Sequence, residues 1–129
     1  MGTIGFGHVN LRTQRPLLDQ LHVFYTTVVG LTEGPRPPFA RFGYWLYAGS
    51  QDIVHLIEAS PEEQRATGIT TTIDHIAFSC EGRDVFEQRL QRLGMPYRAA
   101  IVPLTGQLQL VIKDPAGNSV ELNFPGSEA

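Results

Sequence analysis

Apolar and polar positions follow two periods along this chain, and the same succession of periods occurs twice. Gly7-His8-Val9-Asn10-Leu11-Arg12 alternates, as a half-buried strand does. Leu17, Leu21, Phe24 and Val28 then recur four, three and four residues apart, the spacing of one helix face, and Gly30 supplies a stop. Strand-like runs follow near 41–48 and 52–58, after a Pro-rich stretch at 35–38. The order then returns. Asp74-His75-Ile76-Ala77-Phe78-Ser79 alternates, Phe86, Leu90 and Leu93 mark a helix face before Gly94, and strand-like runs lie near 97–102, 107–112 and 119–124. Ala48-Gly49-Ser50-Gln51 and Asp114-Pro115-Ala116-Gly117-Asn118 read as turns between strands.

His8 and His75 stand 67 residues apart, and His55 and Glu121 stand 66 apart. Two independent pairs at nearly one offset mark a duplicated unit. The expectation is an α+β fold of two tandem βαβββ modules, about 4–59 and about 72–125, within a single domain over 1–129. Between them Ser60-Pro61-Glu62-Glu63 reads as a capping box with Pro in the first turn, which predicts a linker helix within about 60–71 that ends before Gly68.

Alternation assigns faces to the strands. Val9 and Leu11 oppose His8, Asn10 and Arg12; Ile76, Phe78 and Cys80 oppose His75, Ala77 and Ser79. Val120, Leu122 and Phe124 oppose Ser119, Glu121 and Asn123, and Leu108, Leu110 and Ile112 oppose Gln107, Gln109 and Val111. The apolar faces pack beneath helices, and His8, His75 and Glu121 fall on the other face. His55 is less clean, since it shares its face with Ile53 and Ile57. A slip of one residue would turn any of these strands over.

Composition narrows the classes. The 129 residues are 42% hydrophobic and 18% charged with a net charge of -3, enough apolar material for a packed core and no basic cluster for a nucleic-acid backbone. No apolar run approaches the ~20 residues of a membrane helix. The first residues carry neither a basic stretch nor a long apolar one, so no secretory signal is expected. One cysteine, Cys80, excludes an internal disulfide and is compatible with a cytoplasmic location.

The paired βαβββ pattern, a histidine on the first strand of each half, and the closing string from Asp114 to Asn123 resemble the vicinal-oxygen-chelate superfamily of glyoxalases, bleomycin-resistance proteins and extradiol dioxygenases. The resemblance spans essentially the whole chain and is more specific for fold than for reaction. It implies that the modules' sheets curl into a cup with helices outside and that His8, His55, His75 and Glu121 hold one divalent metal ion. It also implies a homodimer, with the site inside one chain or shared between two. Glyoxalase I and its near relatives usually carry a carboxylate or amide where this chain has His55, so Glu121 is the single metal-facing carboxylate and the expected catalytic group.

Imidazole and carboxylate suit Zn, Ni, Fe, Mn or Co. Each residue also has a plainer reading. His8 and His75 can be ordinary strand histidines, and His55 can be a cavity-wall residue. His22 reads as a surface or helix-packing residue, and Cys80 as a small core residue. Asn10, Arg12, Gln107 and Gln109 are candidates to orient a polar substrate or are solvated strand residues. Phe39, Phe42, Tyr44, Trp45 and Tyr47 are mostly core, with some suited to a wall facing a planar ligand.

Three functions remain in play, all with a small-molecule partner and none with nucleic acid or membrane. The first is a metal-dependent lyase, isomerase or thiol transferase. The second is an Fe(II) ring-cleaving dioxygenase, which His55 favours and the short chain disfavours. The third is a drug-sequestering module without catalysis, against which the presence of ligand-type residues speaks.

Overall fold

The computed structural model describes residues 1–128, which fall into two compact units that divide between Arg65 and Ala66. Each unit is one βαβββ module with an open four-stranded sheet.

In the first unit β1 (Val9–Thr13) is followed by α1 (Arg15–Val23), β2 (Thr32–Gly34), β3 (Gly43–Ala48) and β4 (Gln51–Glu58), in the sheet order β1-β4-β3-β2. β1 and β4 run parallel, the other pairs antiparallel. α1 begins with Pro16 in its first turn, where the missing N–H costs nothing. The side chain of Gln14 does not cap it; its Nε2 donates instead to the carbonyls of Ser60 and Glu63, 3.1 and 3.0 Å away. The helix continues as a widened turn over Phe24–Val28, with Val29 N–H bonded to Phe24 O at 3.2 Å, and stops at Gly30, whose φ of 91° few other residues adopt. Leu18, Leu21 and Tyr25 are fully buried with Leu46, Val54 and Leu56 of the sheet. Each such side chain contributes about 1.5–3 kcal/mol of burial.

The second unit repeats the plan. β5 (Ile76–Ser79), α2 (Arg83–Arg92), β6 (Arg98–Ile101), β7 (Leu108–Lys113) and β8 (Ser119–Phe124) form a sheet in the order β5-β8-β7-β6. α2 ends as the glycine pattern predicts: Met95 N–H bonds Leu90 O at 2.9 Å and Gly94 N–H bonds Gln91 O at 3.1 Å, with Gly94 left-handed. Leu90 is buried, whereas Leu93, expected on the same face, follows the last helical residue and stays exposed. Leu110, Val120, Leu122 and Phe124 have no accessible surface, as the alternation requires.

The β7–β8 turn is built on Asp114. Its Oδ1 accepts the N–H groups of Ala116 and Asn118, both at 2.9 Å, and its Oδ2 accepts Asn118 Nδ2 at 2.9 Å. Gly117 is left-handed there and comes so near Gly68 that a Cβ would stand 2.9 Å from its Cα. This turn pins the register that pairs Val111 with Glu121.

Two expectations are corrected. No helix forms over 60–71; the segment has one turn, at Pro61 and Glu62. The capping contacts do form, with Glu63 Oε1 3.2 Å from both Ser60 N and Oγ. Glu63 also binds Arg12 and Arg65, and the residues up to Gly68 have no apolar face to dock, so nucleation gains nothing. His8 and His75 each lie one residue ahead of their strands, because pairing starts at Val9↔Val54 and Ile76↔Val120. The short strand β2 has a sequence, Thr-Glu-Gly, without any apolar alternation. No helix among the described residues is long and apolar enough to cross a membrane.

Candidate functional site

The two units carry their site residues at equivalent places. In the first, His8 precedes β1 and His55 of β4 is paired with Asn10; in the second, His75 precedes β5 and Glu121 of β8 is paired with Ala77. Among the described residues no three His, Cys, Asp or Glu side chains of either unit gather as a metal-ligand group.

In the second unit His75 Nε2 lies 3.2 Å from Glu121 Oε2. The opposite ring nitrogen, Nδ1, is 2.8 Å from Asp74 Oδ2, and Gln109 Nε2 donates to Glu121 Oε1 at 3.1 Å. Both groups are thereby oriented by a neighbour. The Asp74 hydrogen bond raises the His75 pKa above its ordinary value; burial opposes the shift, and the Glu121 charge adds to it. On the same face Asn123 Oδ1 is buried without a hydrogen-bond partner among the described residues.

The first unit places His55 in a stack of rings. The His8 ring lies 3.7 Å from it at 16°, and Trp45, its partner in β3, lies 4.1 Å away on a ring plane tilted by 9°. His55 Nε2 is 2.7 Å from Asp52 Oδ2, and that hydrogen bond holds the Asp52 carboxyl below its usual pKa. Residues three apart on a regular strand face opposite ways. Asp52 reaches His55 because the β3–β4 ladder shifts register, passing from Leu46↔Val54 to Tyr47↔Asp52 and leaving Ile53 as the extra residue. His8, Arg36, Phe39, Trp45, Asp52 and His55 border a cleft of about 400 Å³, and the exposed Asn10 also lines it.

The other expected site residues are placed as follows. Arg12 is held by Glu63, with Nε 2.8 Å from Oε2 and a second contact from Nη2 to Oε1. Gln107 is exposed ahead of β7, its N–H on Thr105 Oγ1 at 3.3 Å. Gln109 supports Glu121, as above. His22 packs against Tyr44 at 4.0 Å and bonds Glu33 Oε1 at 2.8 Å, the packing role expected of it. Cys80 is half-buried, and burial pushes its thiol up to about 11, which suits a core residue and not a nucleophile. Asp52, Asp74 and Arg36 were not singled out from sequence. Asp74 had a signal in its adjacency to His75; Asp52 had none, because the register shift that brings it round is a property of the ladder.

Donor geometry tests the metal that the fold implies. Two ligands bound side by side at about 2.1 Å lie about 3 Å apart, so the His75–Glu121 separation fits a shared divalent ion, with Asp74 where ligating imidazoles take a supporting carboxylate. His8 and His55 do not fit as a joint pair while stacked. Imidazole lone pairs lie in the ring plane, and planes stacked this closely share no point that both nitrogens address.

No family model matches the chain. Over 109 residues it is 34% identical to a protein described as Glyoxylase I 4 from Arabidopsis thaliana, covering 81% of this chain and 63% of that relative, so the chain spans less than two thirds of the relative's length. Among solved structures it resembles a glyoxylase/bleomycin resistance protein/dioxygenase domain from Frankia sp. EAN1pec, with a TM-score of 0.74 and 21% identity over 96% of this chain and 99% of the other. It also resembles lactoylglutathione lyase from Agrobacterium tumefaciens, with a TM-score of 0.66 and 23% identity over 96% of both chains. Fold and duplicated half-sites together define a tandem βαβββ protein. The chain has the fold of the vicinal-oxygen-chelate superfamily, the glyoxalase/bleomycin-resistance/dioxygenase group, and is similar in sequence to a glyoxylase I.

Proposed function

We propose that this chain is a metal-dependent enzyme acting on a small substrate with vicinal oxygens, a glyoxalase-like lyase or isomerase or a related transferase. The observation that carries this reading is the His75–Glu121 pair at 3.2 Å, each member oriented by a second residue. His8, His55, His75 and Glu121 are the proposed ligand set for one divalent ion. Bound there, the ion supplies Lewis acidity, which stabilises negative charge on a substrate oxygen.

The chain's own part is positioning and proton transfer. Asp74 fixes the His75 tautomer with Nδ1 protonated, leaving the Nε2 lone pair free to bind. Gln109 holds Oε1 of Glu121 and leaves Oε2, the oxygen facing His75, to bind the ion, and Glu121 takes up a proton only when it leaves the ion. The exposed Asn10, which lines the cleft, is a proposed contact for substrate polar groups. The likeness to the Arabidopsis relative supports this class of reaction. Dimerisation is part of the proposal and is read by light scattering of the purified chain.

A second reading, an Fe(II) ring-cleaving dioxygenase, is favoured by one observation. His55 Nε2 is engaged by Asp52 Oδ2 at 2.7 Å, and with His55 set aside the remaining proposed ligands, His8, His75 and Glu121, are two histidines and one carboxylate. Elemental analysis of the purified protein separates the readings. Nickel, zinc, manganese or cobalt with hemithioacetal turnover supports the first. Iron with oxygen uptake on catechols supports the second. No bound metal, and none taken up by the dialysed protein, overturns both.

A further inference from the structure

Arg36 is half-buried beside the cleft of the first unit, and the fold makes a seat for it. Its Nη2 donates to Arg41 O at 2.8 Å, and its guanidinium lies over the Phe39 ring, 5.0 Å from the centroid. Gly43 clears the space beneath: a Cβ there would stand 3.0 Å from Arg36 Nη2 and 3.1 Å from its Cζ. Among the described residues no carboxylate pairs with it, and Asp52, the acidic side chain bordering the cleft, is engaged by His55 at 2.7 Å. A fixed cation at the edge of a cavity, with no protein counter-ion, favours an anionic group from outside.

The walls beside it are aromatic. Phe39 is half-exposed and stands 6.2 Å from Trp45 at 44°, and Trp45 continues into the His55 and His8 stack. Leu56 and Ile57 complete the apolar lining. Flat rings and aliphatic side chains around a single cation match a planar molecule that is apolar over most of its surface and charged at one end.

We propose that this cleft binds planar aromatic carboxylates, with the carboxylate on the Arg36 guanidinium and the ring against Phe39 and Trp45. As a statement about substrate this rests on the functional reading above. As a statement about binding it is tested without it.

Trp45 is the only tryptophan of the chain, so its fluorescence reports the cleft directly. The protein is titrated with naphthoate, with neutral naphthalenemethanol and with non-planar cyclohexanecarboxylate, each by fluorescence and by calorimetry, before and after treatment with EDTA. Naphthoate is expected to quench Trp45 and to bind about tenfold more tightly than either comparison ligand, with EDTA making no difference. Arg36→Met is expected to bring naphthoate down to the level of the alcohol while leaving the alcohol's affinity unchanged. Arg36→Gln repeats the comparison should the Met variant not fold. Equal affinity for acid and alcohol, or undiminished naphthoate binding in a folded Arg36 variant, overturns the proposal. Naphthoate binding that EDTA abolishes also overturns it, since the carboxylate then sits on a metal, and leaves the metal reading standing. Binding that survives in a protein shown to hold and take up no metal supports the cleft and removes the metal reading.

Discussion

His55 holds the rung of the first sheet that Glu121 holds in the second. His55 is paired with Asn10, two residues after His8, and Glu121 with Ala77, two residues after His75. One backbone plan therefore presents an imidazole in one module and a carboxylate in the other, and the neighbours differ accordingly. The imidazole is stacked between His8 and Trp45, where flat rings meet. The carboxylate is tethered by Gln109 and faces His75.

Metal retention is expected to depend on Asp74 although it is no ligand in the proposed set. Asp74→Asn removes the charge behind His75 Nδ1 and is expected to weaken divalent-metal affinity by about ten- to a hundredfold, with unchanged circular dichroism. The check is a competition titration against a chromophoric chelator. Equal affinity in the variant would count against His75 as a ligand.

Glu63 links stability to pH. Its hydrogen bond from Arg12 holds the carboxyl well below the ordinary glutamate value, and the Ser60 and Arg65 contacts act the same way. A depressed folded pKa gives stability that is complete above the unfolded value of about 4.3 and is lost as pH falls below it. The difference in melting temperature between the natural chain and Glu63→Gln is therefore expected to be constant from neutral pH to about pH 5 and to shrink below about pH 4. A difference that is flat down to pH 3 would show the pair to be without effect.

Gly43 is required by the ladder and not by its own dihedral angles. An added Cβ would fall 2.3 Å from Leu56 O and against the Arg36 head. Gly43→Ala is expected to cost about 1–3 kcal/mol in urea unfolding. Gly94→Ala meets no neighbour but a φ of 65°, and about 1 kcal/mol is expected there.

Core and surface should separate cleanly. Leu122, with no accessible surface, is expected to cost about 2–5 kcal/mol on change to alanine. Val23, 57% exposed, is expected to stay within about 0.5 kcal/mol. Chemical unfolding at one pH measures both.

What the amino-acid order determines by itself is whatever depends on near neighbours. The period-two runs place Val120, Leu122 and Phe124 inside and Glu121 on the other face, the glycines end both helices, and the two offsets of 66 and 67 declare the duplication before any strand is paired. Asp114 makes its turn with residues two and four positions on, so that turn too is local. The tertiary structure decides the rest. Ile53 is squeezed out of the β3–β4 ladder, which turns Asp52 onto the His55 side, and no alternation rule contains that step. Trp45 meets His55 because two strands lie in one register, and Arg36, in the loop after β2, finds its seat because Gly43 of β3 lacks a side chain. The same reason removes the expected linker helix. Glu63 makes its capping contacts with Ser60 and also binds Arg12, fifty-one residues earlier, but no apolar face follows for a helix to dock, and docking across such distances is settled by packing and not by sequence spacing.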